Sequence, residues 1–509
     1  MELTRKSAGL ALFFLGLAAR QASAVTTCLE LLIAVENISV TGTVELESGF
    51  TCDAHITVAA SQDVTISGAY TITLGALFAG STATDAGSSL FVNEGTLELD
   101  GITFATEATG GNRAVRNAGT LSVVGCTFEL FPSGGGEFLA RGGVIYSDSD
   151  GEIAISASTF TSNIASERGG VVYAIGSATL TIADSFFTVN EVGTGVEEDG
   201  AGGDVYAGTN VELTVTGTTF STSVAEYGGA AIECCGAVIS NCTFTGADAA
   251  SDGAHYGGAL LVNRLDQDAC SRDLDLSNST FSGCTIVSTT GAGGSVAIFD
   301  TSATITDCTF EGSVGTAVLF SSSSDSGEHQ LLMDYVQFNL NSFPAEAYAT
   351  ETEQGAAIVV TNTGVADGNT TVVMGEFNDI YCFGNDPYEC EFVYDQSDIV
   401  HSGEFNCQLC GIDGVRQEVS GTDDDSVERN INQTSSSDSA TDDGLDTGDP
   451  GGRLFSKSTR RPNSGTDDDL NTGNIDQSSS SGSWESKYYV IIGLSAAVAC
   501  ASSWQSMLL

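Results

Sequence analysis

Short runs that alternate apolar and small polar residues recur along most of this chain, and each ends in a phenylalanine. The run from Leu213 to Phe220, LTVTGTTF, has the period of two expected for a strand with one buried face. Equivalent runs end at Phe104, Phe128, Phe160, Phe187, Phe281 and Phe338, with weaker copies at Phe244, Phe310, Phe377 and Phe405. Between them lies a Gly-Gly step followed by an aliphatic residue, as at Gly142-Gly143-Val144-Ile145, Gly169-Gly170-Val171-Val172 and Gly202-Gly203-Asp204-Val205. The step returns at Gly228-Gly229, Gly257-Gly258 and Gly293-Gly294, and helical spacing is absent. One copy cannot bury its Phe alone, so copies must stack, and a repeat of this length implies a solenoid. The pattern predicts an all-β parallel β-helix of about 11 turns, roughly 50 Å long at one strand spacing per turn. Phe-to-Phe spacing varies from 24 to 39 residues, which places the insertions in edge loops.

The flanks read differently. Residues 1–24 form a signal peptide: Arg5-Lys6, an apolar run from Ala8 to Ala19, then Ala22-Ser23-Ala24. Residues 25–95 are read as an N-terminal cap with the first turns, 96–380 as the repeats, and 381–419 as a Cys-rich C-terminal cap. Residues 420–487 are rich in Ser, Asp, Gly and Thr and predict a disordered acidic stalk, since they have too few apolar residues for a core. The apolar stretch 488–509 reads as a GPI signal or a transmembrane anchor, the route by which this chain would meet a membrane. The expected location is extracellular or at the cell surface.

Two elements of the repeat, Gly-Gly-Ala-aliphatic and Phe-x-x-Asn, carry a resemblance. The second is complete in Phe160-Thr161-Ser162-Asn163, Phe187-Thr188-Val189-Asn190 and Phe338-Asn339-Leu340-Asn341. Together they resemble the repeat of the chlamydial polymorphic outer membrane proteins, over roughly Leu97 to Phe377. The resemblance implies a right-handed parallel β-helix of the pectate-lyase-like group. The repeat, the export signal, the stalk and the apolar tail together point to an adhesive or envelope-structural role, with carbohydrate or surface-protein ligands. The same architecture serves pectate lyases, polygalacturonases and alginate epimerases, so the alternative is a polysaccharide lyase or epimerase acting on uronate-containing wall polymers.

Charge narrows the partners. The formal net charge is −51, and Val25 to Val419 holds 52 acids against seven Arg and no Lys. Such a surface repels nucleic acid. A lyase needs a basic residue as its base. Arg113 and Arg116 are the best basic pair, with Arg141, Arg168, Arg264, Arg272 and Arg416 spread over other turns. No cofactor is called for, although calcium could sit at the acidic run Glu197-Glu198-Asp199. Tyr146, Tyr173 and Tyr206 each follow a Gly-Gly by three residues and are candidates for an outward carbohydrate ladder, as are His255 and Tyr256.

Fourteen Cys in an exported chain point to disulfides. Cys28 and Cys52 at one end, and Cys382, Cys390, Cys407 and Cys410 at the other, are expected to staple the caps. Cys126, Cys242 and Cys308 share one repeat position too far apart to bridge, which leaves Cys234 or Cys235 as the partner for Cys242. Sequons at Asn37, Asn241, Asn278, Asn369 and Asn432 are candidate N-glycosylation sites.

Overall fold

The computed structural model describes residues 23–401, apart from 76–88, 107–112, 132–140, 193–199, 250–255, 263–271, 287–292, 323–328, 343–356, 363–371 and shorter gaps beyond 378. Within those bounds the chain winds as a parallel β-helix. Its strands form three long sheets, here called A, with 14 strands, and B and C, with 12 each, and a short sheet D with five. All pairings are parallel, each strand with its counterpart one turn away, as in Thr120–Val124 against Glu152–Ser156 on sheet A. A complete turn runs from sheet A (Glu152–Ser156) to B (Thr159–Thr161), D (Ile164–Ala165) and C (Val172–Ala174), and then begins sheet A again at Thr179.

Register follows from alternation, because a one-residue slip would turn every inward side chain to solvent. The inward Phe of each sheet B strand stacks on that of the next turn. From Phe104 to Phe338 nine rings form a continuous column, with successive centroids 4.5–5.1 Å apart and nearly parallel planes. Phe377 does not join it. A register shift after Leu331 sets Phe377 on sheet A opposite Met333, and Cys382 is the residue that follows Phe338 on sheet B. Phe405 lies outside the described residues.

Both sequence signatures of the repeat have backbone causes. In five of the six pairs the first Gly adopts a left-handed conformation, φ +63° at Gly142 and +62° at Gly169, where a Cβ is disfavoured; in Gly228-Gly229 it is the second, φ +57°. A Cβ on the second, Gly143 or Gly170, would run into the carbonyl oxygen of Gly170 or Gly203 one turn on. The Asn of Phe-x-x-Asn is buried and knits turns together. The Asn163 amide donates to the Phe128 carbonyl (3.3 Å) and that of Asn190 to the Phe160 carbonyl (3.1 Å). The Asn190 Oδ1 accepts from the Asn163 backbone N–H at 2.9 Å. At the other end of the rod Asn341 and Asn385 repeat the arrangement beneath Phe310 and Phe338.

A second polar ladder occupies the position two residues before each Phe. Ser158, Ser185 and Thr218 each accept from the backbone N–H of the preceding turn and donate to a carbonyl two residues back. Cys126, Cys242 and Cys308 occupy rungs of this ladder as buried free thiols, their Sγ donating to the same class of carbonyl.

One helix, α1 (Cys28–Glu36), lies at the N-terminal end, with Leu31 and Val35 buried in the common core. Thr27 caps it by accepting from the Glu30 N–H. A disulfide joins Cys28 to Cys52, tying α1 to the first sheet B strand. No helix among the described residues is long and apolar enough to cross a membrane.

Candidate functional site

Sheet C carries its candidate side chains on its outer surface. Ile145, Val172 and Val205 point into the core, so their neighbours Tyr146, Tyr173 and Tyr206 point away from it. The three rings stack at 5.3 and 5.1 Å, a ladder set by the register Tyr146 to Tyr173 to Tyr206. Yet they are only 9, 3 and 4% exposed. Guanidinium groups lie over them: Arg113 over Tyr146 at 4.4 Å, Arg141 over Tyr173 at 5.6 Å, and Arg168 over Tyr206 at 4.9 Å. This corrects the expectation of a carbohydrate ladder, because the ring faces are already occupied by one another and by cations.

The basic residues also differ from expectation. Arg113 and Arg116 are not a catalytic pair. Arg113 donates to the carbonyls of Gly142 (3.0 Å) and Arg141 (2.6 Å), and Arg116 pairs with Asp148 at 3.4 Å. Arg141 meets Glu167 at 2.9 Å, and Arg168 donates to the Tyr206 hydroxyl at 2.7 Å. Arg113, Arg141 and Arg168 stand 28 and 27 residues apart, close to one repeat, and the fold lines them up on successive turns, each over the Tyr of the next. Their work is to cover and neutralise an outer layer that continues, beyond Glu233, into the apolar cluster of Leu261, Ala297 and Leu319.

The other candidates are dispersed. Tyr256 is half-buried with its ring edge-on to Phe299 at 4.7 Å, while His255 lies outside the described residues. So do Glu197, Glu198 and Asp199, and among the described residues no group of three His, Cys, Asp or Glu side chains is placed to hold a metal ion. Cys234 and Cys242 do not bridge, which corrects the pairing expected for them. Both are buried free thiols, Cys234 turned into the core from sheet C and Cys242 on its rung beside sheet B. Cys235 is the disulfide-bonded one of the neighbouring pair. Burial pushes the Cys234 thiol up to about 12 and that of Cys242 to about 11, so both stay protonated and unreactive. Cys382 and Cys390 fall in the strands Tyr381–Phe383 and Cys390–Phe392; Cys407 and Cys410 lie outside the described residues. Asn37 is exposed at the end of α1, and Asn241 and Asn278 are exposed at left-handed corners between sheets A and B. Asn369 and Asn432 lie outside the described residues.

A feature not anticipated from the sequence is the outer face of sheet B. The outward residue before each core Phe is Thr at Thr103, Thr127 and Thr159, then again at Thr219, Thr243, Thr280 and Thr309; Phe186 is the interruption. The outward residue after each Phe adds Thr161, Thr188, Ser221, Thr245 and Ser282. From Thr159 to Ser282 these two ranks contain no charged residue, although the chain as a whole carries −51. The signal was present as a recurring Thr-Phe-Thr or Thr-Phe-Ser, with attention drawn to the Phe instead of its neighbours.

Residues 198–373 match the protein family described as "Right handed beta helix region". The match covers part of the described region and agrees with its fold, a right-handed parallel β-helix. A search of curated proteins finds no match.

Proposed function

We propose that this protein is a surface-exposed binding rod, adhesive or structural in the cell envelope or matrix, that engages an extended carbohydrate or protein partner over the outer face of sheet B. The observation that carries this reading is the rank of uncharged hydroxyls from Thr159 to Ser282. None of the Thr hydroxyls in these two ranks has a hydrogen-bond partner within the described residues. A flat face with unengaged donors and acceptors suits a repetitive partner, whereas catalysis needs convergent groups in a concave site. The arginines that a lyase would use are instead engaged in structural hydrogen bonds and ion pairs. Export, the acidic stalk and the apolar tail support an extracellular position. Deleting residues 488–509 is expected to release the protein into the medium, and retention at the surface would remove the anchor from the proposal.

Full-length protein applied to immobilised glycans, and incubated with pectate and alginate with and without calcium, tests the function. Binding without turnover supports the rod. Formation of unsaturated uronate product would instead establish the lyase alternative and return attention to Arg141, the half-exposed member of the arginine row.

A further inference from the structure

The two ranks on sheet B form a lattice with measurable constants. Along the rod, the spacing is that of the Phe column directly beneath: 4.7, 4.9, 4.9 and 4.5 Å between successive rings from Phe160 to Phe281. Across the face, Thr159 and Thr161, or Thr243 and Thr245, are two residues apart on one strand, roughly 6.7 Å. The ranks also keep register: Thr159 pairs through Phe186 and Thr219 to Thr243 and Thr280, and Thr161 through Thr188 and Ser221 to Thr245 and Ser282, with no slip in the stretch.

Strand propensity favours Thr, but it does not account for the lack of acids. On sheet A, the outward positions of the same turns include Glu152, Glu212 and Asp275 beside Thr179, Thr181 and Thr214. Between Thr159 and Ser282 the two ranks of sheet B carry none, and acids return only outside that stretch, at Glu129 and Glu311. Charged groups hold hydration shells oriented around themselves. Threonine offers one hydroxyl that can take the place of a water oxygen and one methyl that holds no water, so a regular Thr array orders its first water layer at the spacing of the array.

We propose that the outer face of sheet B from Thr159 to Ser282 docks onto the crystal surface of ice. The two repeats of the hydroxyl lattice lie close to those of the water oxygens on a prism face of ice, the face is uncharged like the lattice it would meet, and its hydroxyls are available. Phe186, 54% exposed, is a defect in the first rank where a hydroxyl is missing. The inference rests on the reading of this surface as a binding face and gives it ice as occupant in place of a carbohydrate or protein.

The test is freezing-point hysteresis and ice-crystal shaping by the full-length protein, with circular dichroism to confirm that each variant is folded. Wild type is expected to facet growing ice and to show hysteresis. Thr245→Lys should lose most of that activity, Phe186→Thr, which completes the rank, should raise it, and Thr214→Lys on sheet A should leave it unchanged. Absence of faceting and hysteresis in wild type, or equal activity in Thr245→Lys, overturns the ice assignment. If glycan binding survives that outcome the binding face stands with another occupant, and silence in both assays sinks both.

Discussion

Asp204 occupies a place inside the rod that Val144 and Val171 fill in the two preceding turns. Its carboxylate accepts from the Asn190 amide at 2.7 Å and from the Ser223 hydroxyl, and these are its polar partners among the described residues. Complete burial pushes its pKa up to about 8, the two hydrogen bonds pulling the other way. In the unfolded chain the same group titrates near ~3.9. Below about pH 4 both states carry the proton; from there to about pH 8 only the unfolded chain releases it, so stability falls as pH rises. Asp204→Asn keeps hydrogen-bonding capacity and removes the titration. The variant is expected to melt above wild type near pH 8, by a margin that closes towards pH 4. Thermal melts of both proteins across that range check this, and parallel curves would show that the carboxyl is charged in the fold. Aligning the Gly-Gly steps puts Asp204 at the inward place of Val144 and Val171; what the sequence does not show is that Asn190 and Ser223 meet its carboxyl there.

At the scale of the element, the sheet C outer layer shows how a side chain directed away from the core can still be buried. Tyr173 lies between two other rings with Arg141 above it, and desolvation raises its pKa above the ordinary phenol value. Tyr173→Leu preserves much of the volume but removes the ring stack and the cation–π contact, so it should cost about 1–2 kcal/mol. Chemical denaturation with an unchanged m-value would measure it; no loss would mean that Arg141 and its neighbours do not depend on the ring. The strands, the Phe column and the two glycines were legible because each recurs at a fixed place in the repeat. The arginine row recurs as well, at 28 and 27 residues, but Arg113 reads more readily as a pair with its neighbour Arg116 than as the first member of a row. The free thiols were half legible: Cys126, Cys242 and Cys308 share a position with Ser158 and Ser185, but a preference for disulfides drew Cys242 towards Cys234. The Thr ranks recur beside the core Phe residues from Phe104 to Phe310, but Thr is so common in strands that its presence there does not by itself mark a face.

For the molecule as a whole, charge opposes the fold. Outward acids such as Glu98, Glu152 and Asp275 lie on stacked strands of sheet A, and few cations balance them. Repulsion between turns is screened over about 10 Å at 0.1 M salt. Stability is therefore expected to rise from low ionic strength to ~0.15 M sodium chloride, with most of the gain within that interval. A melting temperature independent of salt would mean that the acids are too well hydrated to interact.

The direction of the backbone hydrogen bonds has a mechanical consequence. In every sheet they run from turn to turn, along the axis of the rod. A pull on the C-terminal end meets them one turn at a time, as a zipper does, and not all together in shear. Extension should proceed in steps of a single turn at nearly constant low force, each step releasing a few tens of residues. It should stop short at the N-terminal end, where Cys28 and Cys52 close the first turn covalently. Such a rod behaves as a load limiter: it lengthens under tension before a bond at either end breaks.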